Sequence, residues 1–143
     1  MTRRDPHTPS GGTPVLMERA LAVLGSLEAR IMREAWTRGV IEPFVVRDMR
    51  ERMPNLAYTT VMTILNRLAE KGLLEAVRMG NQRPTRFRVR QTPEAFLAEA
   101  SRRGADEVIE RYGDAALAAF AARLDALTPE QRERLRHLAE RHR

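Results

Sequence analysis

A mainly α-helical fold with one β-hairpin set among the helices follows from three observations. Apolar residues recur at i, i+3, i+4 and i+7 within 57–71, the spacing of a buried helix face. Beyond Gly72 the apolar period falls from 3.6 to 2. Thr92-Pro93 and Thr128-Pro129 then each open a new helical stretch with a capping hydroxyl and a first-turn proline.

Met1 to Pro14 is rich in Pro, Gly, Thr and Ser and reads as a flexible tail, taken as residues 1–15. It lacks the apolar core of a signal peptide. Ser26 offers an N-cap to a helix running to about Arg38, with Leu27, Ile31, Met32, Ala35 and Trp36 on one face and Gly39 ending it. Pro43 precedes a short helix carrying Val46, Met49 and Met53, and Pro54-Asn55 breaks it into a turn.

The third helix, about Ala57 to Lys71, has the clearest pattern. Val61, Ile64, Leu65 and Leu68 form its apolar stripe, and Thr59, Thr60, Thr63, Asn66, Arg67 and Glu70 occupy the opposite face. Three β-branched threonines are poor choices for helix stability on an exposed surface. They are good choices for close approach to a groove, because a small hydroxyl can meet a base edge or a phosphate. Gly72 supplies the C-terminal cap.

Leu73 to Arg78 reads as one strand, and Thr85 to Arg90 alternates apolar and basic residues as a second. The loop between them, Met79 to Pro84, places the donors Asn81, Gln82 and Arg83 at its tip, where arginine suits phosphates or a narrow minor groove. Beyond Thr92 come a helix to about Arg103, a segment from Ala105 to Tyr112 broken off by Gly113, a helix over 114–125, and a last helix opened by the capping box Thr128-Pro129-Glu130-Gln131. Leu117, Phe120, Ala121, Leu124 and Leu127, with Leu135 and Leu138, make stripes too small to enclose a core of their own. Burial against a second copy of the chain is the expected use, with packing onto the preceding domain as the alternative.

Charge locates the working surface. The chain of 143 residues carries +6, of which 57–90 contribute +5, from six Arg and Lys71 against Glu70 and Glu75; 104–143 are at −1. Charge confined to one stretch is the footprint of a polyanion partner. The absence of cysteine excludes disulfides and thiolate chemistry. No apolar run reaches the roughly 18 residues that span a bilayer, so no membrane insertion and a cytoplasmic location are expected. No phosphate loop or nucleophile elbow appears, so no catalytic residue, metal site or cofactor is expected. Glu133 and His137 stand one turn apart on the last helix, whereas His137 and His142 are five apart and do not share a face.

Helices, turn, polar helix face and basic hairpin in this order specify a winged helix-turn-helix over 16–91, followed by a helical dimerisation region over 92–143. The expected partner is double-stranded DNA, contacted by Tyr58, Thr59, Thr60, Thr63, Asn66, Arg67, Lys71, Asn81, Gln82, Arg83 and Arg86. A winged helix used for protein–protein contact is the alternative.

Leu24-Gly25-Ser26-Leu27-Glu28, followed by Ile31-Met32 and Trp36, resembles the opening helix of the penicillinase-repressor family. Ala57 to Leu68, followed by Glu70-Lys71-Gly72-Leu73, resembles that family's recognition helix. The resemblance is strong over about 22–90 and rests on helix pattern alone over 91–143. It implies a homodimeric repressor of palindromic operators, with Thr60 and Thr63 on bases, Tyr58, Thr59, Asn66 and Arg67 on backbone or bases, and the Arg83 loop as the wing. For the β-lactam branch it also implies a membrane sensor protease as partner, cutting an Asn–Phe bond; the alignable residues here are Glu107-Val108. The copper branch uses C-terminal cysteines, which this chain lacks.

Overall fold

The computed structural model describes residues 14–78 and 84–141, so Asn81, Gln82 and Arg83 of the expected wing, and His142, lie outside the described residues. The chain divides into two compact units, Met1–Ala100 and Ser101–Arg143. The fold is mainly helical with one small antiparallel sheet, as the sequence predicts.

The first unit opens with α1 (Pro14–Ala22), a helix that the expected tail did not include. Its Ala20 and Leu21 are buried. α2 (Ser26–Trp36) follows, with Gly25 rather than Ser26 at the N-cap and no side chain capping it. Its end also differs from expectation. Arg38, not Gly39, takes the left-handed conformation at φ 58°. The Gly39 N–H then donates to the Glu34 carbonyl at 2.8 Å and the Arg38 N–H to the Ala35 carbonyl at 3.3 Å, closing a Schellman turn.

α3 (Val46–Glu51) is short because Pro54 lies just beyond it, and the Asp48 carboxylate accepts the Val45 N–H at 3.0 Å. α4 (Tyr58–Glu70) has the expected phase, with Val61, Ile64, Leu65 and Leu68 all buried. Gly72 at φ 80° ends it, and the Leu73 N–H donates to the Leu68 carbonyl at 3.0 Å. β1 (Leu74–Val77) and β2 (Arg86–Val89) pair antiparallel, with Leu74 opposite Val89 and Val77 opposite Arg86.

The sheet has a third participant that periodicity does not disclose. Phe44 bridges to Phe87 through two backbone hydrogen bonds of 2.9 and 2.7 Å, and their rings stack with centroids 6.0 Å apart. Both side chains are fully buried beside Ile31, Met32, Met49, Leu65, Leu68, Leu73 and Leu74. Each such side chain contributes roughly 1.5–3 kcal/mol by leaving water, which holds α2, α3, α4 and the hairpin base as one body.

α5 (Pro93–Tyr112) is one continuous helix. The break expected between Arg103 and Ala105 is absent: Gly104 lies in the helix interior, where it costs only about 1 kcal/mol against alanine, too little to stop propagation. The Thr92 hydroxyl accepts the Ala95 N–H at 3.1 Å as expected of a cap. The first unit, the head, runs to Ala100, so it includes the opening turns of α5, with Phe96 buried.

In the second unit, α6 (Asp114–Asp125) and α7 (Pro129–Arg141) follow. The expected capping box is reciprocal: the Gln131 N–H donates to Thr128 Oγ1 at 3.2 Å and the Thr128 N–H to Gln131 Oε1 at 2.9 Å. Among the described residues of 101–143, only Ala116 is buried. Val108, Tyr112, Leu117, Phe120, Leu124, Leu135 and Leu138 are exposed large apolar side chains. No described helix is long and apolar enough to cross a membrane.

Candidate nucleic-acid interface

Burial of one face of α4 decides what its other face presents. Because Val61, Leu65 and Leu68 are fully buried, the helix cannot rotate, and Thr59, Thr63, Asn66 and Arg67 are held toward solvent. Thr59, Thr63 and Arg67 follow one another at four-residue steps, so they form one row along the helix. Thr60 is half-buried at the edge of this face and Tyr58 is exposed at its start. The Thr63 hydroxyl donates to the Thr59 carbonyl at 2.9 Å, which commits its proton and leaves the oxygen as an acceptor on an exposed side chain.

The start of α4 is suited to an anion. No side chain caps it and no acid lies in its first turn, so the positive end of the helix dipole stands uncompensated there. Met62, exposed beside the polar row, belongs to this surface and was not among the expected contacts. Its residue type suggests core, but it lies outside the i, i+3, i+4 stripe, and that phase is the signal that could have found it.

Lys71, one step beyond Arg67 in the same row, has another use. Its Nζ lies 2.9 Å from both carboxylate oxygens of Glu28 on α2, and Arg67 Nη1 lies 3.9 Å from Glu28 Oε1. Glu28 is buried. This tie between α2 and the end of α4 joins residues far apart in sequence, and no local pattern announces it.

On the hairpin, Arg86 is half-buried on β2, and Arg88 pairs across the strands with Glu75 at 3.0 Å. The hydrogen bond from Arg88, then the charges of Arg88 and Arg90, hold the Glu75 carboxyl below its ordinary value. Arg33 of α2 makes a two-pronged pair with Glu18 of α1, at 2.5 and 3.0 Å, and lowers that carboxyl in the same way. At the base of the head, the Trp36 indole meets Phe96 with ring centroids 6.2 Å apart.

Elsewhere the chemistry is sparse. Glu133 Oε1 lies 3.4 Å from His137 Nε2 on α7, and no group of three or more potential metal ligands occurs among the described residues. Glu107 and Val108 sit exposed within α5. In the second unit Leu117, Phe120, Ala121 and Leu124 are exposed along α6, Leu135 and Leu138 along α7, and Leu127 between them is half-buried.

A family described as Penicillinase repressor matches residues 24–141. Two curated relatives, each named Transcriptional regulator BlaI, come from Mycobacterium tuberculosis strains CDC 1551 / Oshkosh and ATCC 25618 / H37Rv. Each is 46% identical to this chain over 61 residues, covering 41% of this chain and 43% of the relative. The identity thus spans less than half the length of the curated relatives.

Proposed function

The chain belongs to the penicillinase repressor family, and from that premise we propose that it is a transcriptional repressor that reads palindromic operator DNA as a homodimer. The observation that carries this is the exposed row of Thr59, Thr63 and Arg67 on a helix locked in rotation by a fully buried opposite face. Thr63 and Thr60 meet base edges, while Tyr58, Thr59, Asn66 and Arg67 reach backbone or bases, with the α4 start against a phosphate. Arg86 of β2 contributes to the wing, and Asn81, Gln82 and Arg83 are the remaining contacts of this reading.

The second unit supports the dimer. A helical region with one buried side chain among its described residues, and exposed Leu117, Phe120, Leu124, Leu135 and Leu138, needs a partner surface. A second copy supplies one by symmetry, and it would set two recognition helices about 34 Å apart, or a multiple, to meet successive major-groove faces.

Footprinting of genomic DNA with the full chain tests the reading. Protection of discrete two-fold sites, by a species of dimer mass in sedimentation, is the expected result. A monomer that binds those sites tightly would remove the dimer, and uniform retention of all DNA would remove operator reading.

A further inference from the structure

Glu28 is the one buried charged side chain among the described residues, with 8% of its side chain exposed. A carboxylate in such a place needs a cation, and Lys71 supplies it, with both oxygens at 2.9 Å from one ammonium. Lys71 is the only lysine in the chain; every other basic side chain apart from the histidines is arginine. An ammonium is a compact point charge with three donors, enough to reach both oxygens of one carboxylate. The Lys71 ammonium is thus engaged by Glu28, with two hydrogen bonds of 2.9 Å.

The row Thr59, Thr63, Arg67 runs down α4 at four-residue steps, and its next step, Lys71 at the C-cap, is bonded to Glu28 of α2. For Lys71 to leave Glu28 for a phosphate, a buried carboxylate would lose its two hydrogen bonds and keep only Arg67, at 3.9 Å. That loss outweighs one exposed ion pair.

We infer that Glu28 is a positioning residue for DNA reading: it withholds Lys71 from the phosphate backbone and so lowers the sequence-independent affinity of the face. Phosphate contacts hold a protein on any sequence, so each one removed leaves more of the discrimination to the base contacts around Thr63. The inference rests on the DNA-binding reading above.

The test compares the full-length chain with Glu28→Gln on a short duplex of mixed sequence across a salt series. Glutamine keeps the shape and still accepts a hydrogen bond from Lys71, while the charge is gone. The slope of log affinity against log salt should steepen by about one, and affinity near 0.1 M salt should rise about fivefold, the effect of Lys71 reaching one phosphate. Adding Lys71→Gln to Glu28→Gln should return the slope to the wild-type value. A helix tie with no bearing on DNA would move the melting temperature and leave the slope unchanged, and that result overturns the inference.

A second measurement needs no variant. Acylation of Lys71, read by mass spectrometry in the wild-type chain, should proceed at the same rate with and without the duplex. Strong protection by DNA would place Lys71 on the backbone and overturn the inference. Wild-type protein with no salt-dependent affinity for the duplex would instead overturn the DNA-binding reading, an outcome distinct from binding with an unchanged slope.

Discussion

The indole N–H of Trp36 donates a 2.8 Å hydrogen bond to the backbone carbonyl of Gln91, fastening the end of α2 to the segment that leaves β2. Trp36→Phe keeps an aromatic ring against Phe96 but leaves that carbonyl without this donor. It should cost about 1–2 kcal/mol, the range for a lost part-buried hydrogen bond. Denaturant unfolding measures it, and an unchanged midpoint would mean that water replaces the indole at no loss.

Arg38 is the one described non-glycine residue at positive φ. The left-handed conformation costs L-residues roughly 1–2 kcal/mol, whereas glycine adopts it without penalty. Arg38→Gly should therefore raise stability by about 1 kcal/mol, less what glycine adds to the entropy of the unfolded chain. A fall in melting temperature would show that the arginine side chain contributes more than the turn costs.

Gly104 offers a similar gain in α5. A Cβ built there meets nothing within 4 Å. Gly104→Ala should stabilise by about 0.5–1 kcal/mol through helix propensity. If the melting temperature drops instead, something outside the single chain covers that position, and the dimer is the first place to look.

Thr63→Ala should weaken binding to a footprinted operator by on the order of 1–2 kcal/mol and change affinity for mixed-sequence duplex far less. Since the Thr63 hydroxyl donates its proton to Thr59, it meets a base as an acceptor or through its methyl. Thr63→Val separates these, because it keeps a methyl and removes the oxygen. Equal losses on both duplexes would make Thr63 a backbone contact only.

The carboxyls of Glu75 and Glu18 are held below their ordinary value of 4.5, each chiefly by a hydrogen bond from arginine. A folded value below the unfolded one gives stability that is fully present above the unfolded value and is lost as pH falls through the folded value. Both pairs are exposed, so each contributes little. Glu75→Gln should flatten the acid limb of a melting-temperature-against-pH curve slightly. An acid limb identical to wild type would leave that pair without a role in stability.

Elements that bury a stripe are readable from the sequence, and contacts between distant residues are not. α4 announces itself because Val61, Ile64, Leu65 and Leu68 repeat with the helix period, and the same period locates α6 although its stripe stands exposed. α1 carries a usable signal that the tail's composition masks: Thr13-Pro14 is the dipeptide that opens α5 and α7, and Ala20 and Leu21 follow at core spacing. Gly104 misleads because one weak helix former reads as a stop. The Phe44–Phe87 bridge and the Glu28–Lys71 pair join residues 43 apart in each case, and a single-residue bridge or a single ion pair leaves no period to detect. The polar face of α4 is legible as a face; the pairing of Lys71, at its C-cap, with Glu28 is not.

The bridge between Phe44 and Phe87 also orders events in time. A nascent chain that has emerged only through β1 holds Phe44 without either of its backbone partners and without the ring it stacks on. Closing a loop of that length costs entropy before any contact offsets it. The head therefore completes its core only once β2 has left the ribosome, and α2, α3 and α4, each local and quick to form, must until then keep Ile31, Met49 and Leu65 from other partners.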